Sequence, residues 1–177
     1  MALVKISRGA DIKHEYTNGV SRVPILEGAY KDAKVERISL QPGADLTPET
    51  YSKTEHNQVF LVTAGKGYIV TPRRVYNITE VSVFGPDFDK ESFTFHCAAD
   101  AKETMEIVHF VTELSDYDKT CLKEAHLTLP RFRGVSQAWH YKEDFTGADI
   151  QQMMMIEHRN LGRLSMGANF GTGPNYL

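Results

Sequence analysis

The 177-residue sequence predicts an all-β fold, an antiparallel barrel of jelly-roll type with one short helix and a C-terminal β extension. Three observations carry that expectation. Short runs rich in β-branched and aromatic residues recur along the chain, and clusters of Gly, Pro and Asp separate them. Helical spacing is confined to a single stretch, so short strands at close intervals dominate, as in a sandwich or barrel.

The first strand is predicted at 35–40, where Val35, Glu36, Arg37, Ile38, Ser39 and Leu40 alternate in part before Pro42 and Gly43 stop them. The apolar run Val59, Phe60, Leu61, Val62 ends at Gly65 and Gly67, and Tyr68, Ile69 and Val70 resume at once. That pattern predicts a glycine-containing hairpin. Further strands are expected at 81–84, 92–96 and 105–111. A helix is expected over 115–125, with Ser115 as cap and Tyr117, Leu122 and Ala125 as its apolar spacing. Strand-like patterning returns at 135–141, 150–158 and 163–170 without a Gly/Ser-rich linker. We therefore divide the chain into a barrel at 1–125 and a β extension at 126–177. Met153, Met154, Met155 and Ile156 read as a buried strand rather than as an adaptable thioether surface.

Composition excludes several classes of function. Hydrophobic residues make up 41% of the chain, aromatic residues 10% and charged residues 24%, which is ordinary for a globular protein and too apolar for a disordered one. The 20 Lys and Arg are scattered against 23 Asp and Glu, with Arg73 and Arg74 only a local pair, so no nucleic-acid footprint is present. No apolar run approaches spanning length, and the first residues carry charges at Lys5, Arg8, Asp11 and Lys13, unlike a signal peptide. Cys97 and Cys121 form neither a disulfide framework nor a CxxC pair, and neither has the local context of a nucleophile. Reduced thiols and a cytoplasmic location are expected, with no membrane partner.

The stretch 42–67 resembles the first motif of the cupin superfamily, G-x5-H-x-H-x3-4-E-x6-G. Gly43 is followed by five residues, then Glu49, one residue and Tyr51; Gln58 precedes Gly65 by the expected interval, and six residues rather than three or four separate Tyr51 from Gln58. The second motif, G-x5-P-x-G-x2-H-x3-N, is matched at Pro86 alone, with Glu91 in the histidine position. The resemblance spans about residues 35–112 and implies a cupin barrel. In metal-binding members the two histidines and the glutamate project into the barrel, because residues two apart share a face and a divalent ion needs convergent donors. Here Glu49, Tyr51 and Gln58 hold those places, and Glu91 holds that of the second motif's histidine.

The resemblance thus implies a ligand-binding set of Glu49, Tyr51, Gln58 and Glu91. His56, two before Gln58, could share its face and reach the mouth, or be a solvated loop residue. Oxygen donors of this kind suit Mg, Ca or Mn, so a divalent cation is conceivable, but a barrel without metal or other cofactor is the expectation. His96 and His109 lie in strands and are not assigned as ligands.

Three functions compete. The first is a small-molecule-binding barrel for a sugar or carboxylic acid, with Arg37 or Lys66 as further contacts and Phe60, Phe93 and Phe95 as walls. The second is a cupin isomerase, lyase or dioxygenase acting on a sugar or small organic acid, with Glu49 or Glu91 as base, Tyr51 as acid, or a metal site supplied by a second barrel. The third is a structural half that serves dimerisation. From 149 onward the chain resembles strands that precede a cupin motif, so the extension is either the start of a second barrel or a tail exchanged in a homodimer.

Overall fold

In the computed structural model ten strands run among the described residues, which are 8, 11–25, 27–28, 33–52, 55–86, 92–116, 119–120 and 130–134. They are β1 (Val20–Ile25), β2 (Ala33–Leu40), β3 (Asp45–Leu46), β4 (His56–Ala64), β5 (Gly67–Val70), β6 (Val75–Ile78), β7 (Ser82–Gly85), β8 (Thr94–Cys97), β9 (Met105–Glu113) and β10 (Arg131–Gly134). Every pairing is antiparallel, in a six-stranded sheet ordered β1-β2-β9-β4-β7-β10 and a four-stranded sheet ordered β3-β8-β5-β6. The expected all-β antiparallel architecture is present.

The inward face is set by period-two alternation. Ile38 and Leu40 on β2, Met105 and Ile107 on β9, and Phe60 and Val62 on β4 are buried to 2% exposure or less. From the other sheet Ile69, Ile78 and Phe95 meet them, and Phe84 on β7 and Phe93, just before β8, belong to the same core. Phe60 lies 5.0 Å from Phe95, 5.4 Å from Phe93 and 6.4 Å from Phe84, ring centroid to centroid. Tilted and edge-on contacts of this kind add about 0.5–1.5 kcal/mol per pair beyond burial.

The hairpin expected around Gly65 does not form. β4 pairs with β9 and β7, whereas β5 pairs with β6 and β8, so the chain crosses from one sheet to the other between them. Gly65 makes the crossing at φ +89°, where a side chain would be strained, and a Cβ there would press on the Met105 backbone. Two apolar runs separated by glycine show that the chain turns, but not which neighbours the second run will find.

The strands expected at 35–40, 81–84, 92–96 and 105–111 correspond to β2, β7, β8 and β9, while β1, β3, β6 and β10 carried too weak an alternation to be read. Residues 116, 119 and 120 are helical and the Lys119 amide donates to the Ser115 carbonyl, within the stretch expected to be a helix. The strands expected at 135–141, 150–158 and 163–170 lie outside the described residues, as does Cys121. Within 126–177 the described strand β10 pairs with β7 in the six-stranded sheet. Among the described residues no helix is long and apolar enough to cross a membrane.

A Cβ at Gly67 would run into the carbonyl oxygen of His96 on the adjoining strand, whereas one at Gly85 would meet nothing within 4 Å. Gly67→Ala should therefore cost about 2 kcal/mol or more in urea unfolding, and Gly85→Ala under about 0.5 kcal/mol. Equal costs at the two sites would contradict the close approach of β5 to β8.

Candidate functional site

At one end of the inward register the apolar sequence gives way to polar groups. Glu36 on β2 stands directly opposite His109 on β9, and His109 stands directly opposite Phe60 on β4. Arg22 on β1 and Gln58 on β4 are one diagonal step away on the same face, within reach of long side chains across an antiparallel ladder. The register thus lines up Arg22, Glu36, His109 and Gln58 across four consecutive strands of the sheet. The His109 ring lies flat on Phe60, with centroids 4.2 Å apart and planes 3° from parallel, so the aromatic core forms the floor of this polar layer.

One amide fixes the order of protons. The Gln58 side chain is fully buried, and its Nε2 stands 2.9 Å from the Glu49 carbonyl oxygen and 3.0 Å from His109 Nε2. A backbone carbonyl only accepts, so the nitrogen of the amide must face it. The second amide hydrogen then points at His109 Nε2, which accepts, leaving the imidazole proton on Nδ1. That nitrogen donates to Glu36 Oε1 at 2.6 Å. Arg22 closes the series, with Nε 3.0 Å from Glu36 Oε2 and Nη2 2.6 Å from Oε1.

Burial alone would raise the Glu36 carboxyl and is the largest single influence on it. The hydrogen bonds from His109 and Arg22, together with the charges of both, outweigh it and bring the group down to about 2. Arg22 is raised in turn, chiefly by its hydrogen bond to Glu36, against an opposing effect of burial. Above this layer sits the loop that carries Glu49 and Tyr51. Burial pushes the Tyr51 phenol up, and the carboxylates of Glu49 and Glu36 add to the effect while Arg22 opposes it. Tyr51 donates a long 3.4 Å contact to Glu49 Oε2, and its ring lies 5.4 Å from that of His56.

The structure therefore gathers Glu49, Tyr51, His56 and Gln58 at one mouth. Gln58 is buried, Tyr51 and His56 are half-buried, and Glu49 exposes its side chain while its carbonyl is held by Gln58. His56 is on the same inward register as Gln58. Glu91 lies outside the described residues. Two buried atoms here have no hydrogen-bond partner among the described residues, Gln58 Oε1 and His56 Nδ1. An acceptor left in that state costs about 1–3 kcal/mol unless a ligand or water satisfies it.

Residues proposed as further contacts sit elsewhere. Arg37 is on the outer face of β2 and donates to Glu106, whose carboxylate also accepts from Ser39 and Thr104. Phe60, Phe93 and Phe95 pack on one another as a plug rather than lining an open wall. His96 faces outward, 2.6 Å from Asp45 and stacked on Tyr68. Cys97 is buried, and burial pushes its thiol up, away from nucleophilic use.

Arg22, Glu36 and His109 were not assigned from the sequence. A signal was present for His109, which shares the parity of Met105, Ile107 and Val111 and so stands where an apolar residue is expected. Glu36 has the same relation to Ile38 and Leu40.

The metal centre implied by the family resemblance can be tested on these donors. His109, the one imidazole in the buried layer, has both nitrogens engaged, and Gln58 turns an N–H toward it. Glu36 is committed to Arg22 and His109. Among the described residues no group of three or more His, Cys, Asp or Glu is placed to hold a metal ion. The described donors do not fit an imidazole-based divalent centre.

No protein-family model and no curated protein matches the sequence. The fold does have solved counterparts. KdgF from Halomonas sp. superposes with a TM-score of 0.51 at 11% identity, over 65% of this chain and 98% of that one. A predicted oxalate decarboxylase from Thermotoga maritima gives 0.50 at 16% identity, over 62% and 100%. An RmlC-like cupin protein from Desulfovibrio desulfuricans gives 0.48 at 10% identity, over 63% and 97%. Two antiparallel sheets closed on one aromatic core, together with the likeness to the first two of these structures, define the class: the chain has the cupin-type jelly-roll fold. At such identities the likeness speaks for the fold.

Two measurements check the proton order. Long-range ¹⁵N–¹H correlation spectra should show His109 as the Nδ1–H tautomer, and an Nε2–H pattern would refute the network. Glu36 titrates lower folded than unfolded, so its contribution is complete above the unfolded value of about 4.5 and is lost as pH falls toward about 2. Glu36→Gln should cost about 2–3 kcal/mol at neutral pH, with the two stability curves converging as pH approaches about 2. Parallel curves would show that Glu36 contributes no such linkage.

Proposed function

We propose that this protein is a small-molecule-binding barrel that works without a metal ion, its ligand seated between the Glu49–Tyr51 loop and the Arg22, Glu36, His109 and Gln58 layer. The observation that carries the reading is the polar layer itself. Four polar or charged side chains converge at one end of an otherwise apolar interior, above an aromatic floor, and a few placed polar groups beside apolar surface are the usual make-up of a ligand site. Structural demand alone does not account for it, because replacing such buried ion pairs by apolar residues is often neutral or stabilising. The degenerate motif agrees: Glu49, Tyr51 and Gln58 keep the frame of a cupin site while lacking its histidines.

A second reading, an isomerase, lyase or dioxygenase acting on a sugar or small organic acid, draws on the Glu36–His109 contact. A carboxylate that orients an imidazole is the arrangement of a general base. In this chain Gln58 occupies the nitrogen that would take the proton, so catalysis would require the ligand to displace that amide, or a site on another barrel.

Protein purified without added metal should contain Mn, Fe, Ni and Zn well below one equivalent, and chelation should leave its melting temperature unchanged. In a thermal-shift screen of sugars and organic acids at least one compound should stabilise the protein, by about 2.7 kcal/mol at a hundredfold excess over its Kd. Stoichiometric metal, or turnover of a screened compound, would replace this reading with the enzymatic one.

A further inference from the structure

The unmet polar atoms of the mouth call for hydrogen-bonding partners. Gln58 has both amide hydrogens engaged, by the Glu49 carbonyl and by His109, so what it can still offer is the Oε1 acceptor, buried and without a partner among the described residues. His56 Nδ1, two residues away on the same inward register, is likewise buried and unpartnered, and it accepts in the Nε2–H tautomer or donates in the Nδ1–H tautomer. The exposed Glu49 carboxylate above them is a further acceptor. A ligand seated here must bring hydrogen-bond donors for Gln58 Oε1 and the Glu49 carboxylate, and a hydroxyl meets His56 Nδ1 in either tautomer.

Charge points the same way. Arg22, the cation nearest the layer, makes a two-point contact with Glu36 and is not available to a second carboxylate. Lys34, exposed, is a second cation, on the inward register of β2 opposite Val111. Against these two stand Glu36, Glu49 and Glu113, the last opposite His56. An anionic ligand would meet repulsion and unpaired acceptors at once, which is how a site excludes a wrong partner.

We infer that the barrel mouth selects neutral, hydroxyl-rich ligands, polyols or sugars, over their carboxylate counterparts, with Gln58 as the specificity-determining residue and His109 and Glu36 positioning its amide. The inference rests on the small-molecule reading and narrows its ligand class. His109 acts through Gln58: by accepting the second amide hydrogen it holds Oε1 away from the Glu49 carbonyl and free for the ligand.

Matched pairs test it: glucose against glucuronate and galactose against galacturonate, compared by thermal shift and by saturation-transfer NMR on the intact protein. At least one neutral member should bind, and its acid should bind at least about tenfold more weakly. Glu36→Gln releases Arg22 from its carboxylate and should narrow or reverse the preference in favour of the acid, a change of ligand choice that mere loss of stability would not produce. Equal or tighter binding of the acids by the native protein would overturn the inference while leaving a small-molecule barrel. Binding of neither member of either pair would overturn the inference, and silence across the wider screen would remove the small-molecule reading with it. The native protein decides the matter even where Glu36→Gln does not fold.

Discussion

Phe60 is the residue on which both the barrel and its mouth depend. It occupies β4, between β9 and β7 in the larger sheet, and its ring meets Phe95 and Phe93 from the opposing side. Two sheets close on each other only if their inward side chains interdigitate, and Phe60 is a large, fully buried ring within that contact. The same ring carries His109 on its face. A single packing interaction therefore joins the apolar core to the polar layer and sets the height at which the interior changes character.

Above that ring, hydrogen bonding rather than packing governs the arrangement. Burying charge is expensive, and the chain offsets the cost by pairing Arg22 with Glu36 and satisfying Glu36 again through His109. Each proton in the series follows from the Glu49 carbonyl, because an oxygen that can only accept dictates the amide beside it, and that amide dictates the imidazole. Such a network is all-or-none: reversing one member would set two donors or two acceptors against each other. The network meets its own hydrogen-bonding needs except at Gln58 Oε1, which has no partner among the described residues.

Much of the architecture was legible in advance because strand patterning is local. The alternation in 35–40 and 105–111 reports burial on one face, whichever strand lies alongside. Glu49, Tyr51 and Gln58 were singled out by the resemblance to a cupin motif framed by Gly43 and Gly65, glycines that adopt positive φ at turns where side chains are disfavoured. Pairing is not local, and there the expectation failed: the run after Gly67 joined β6 and β8 in the second sheet instead of folding back on β4.

The site divides along the same line. By itself the sequence determined that the chain is an antiparallel all-β barrel and that its cupin-like motif lacks histidines, since both reside in composition, period and spacing along one strand at a time. Only the tertiary structure decided that Arg22, Glu36, His109 and Gln58 form one layer, because these residues come from strands β1, β2, β9 and β4, and as many as 73 positions separate bonded partners. Their meeting depends on which strands lie side by side and in what register, and that is settled by the closure of two sheets around Phe60.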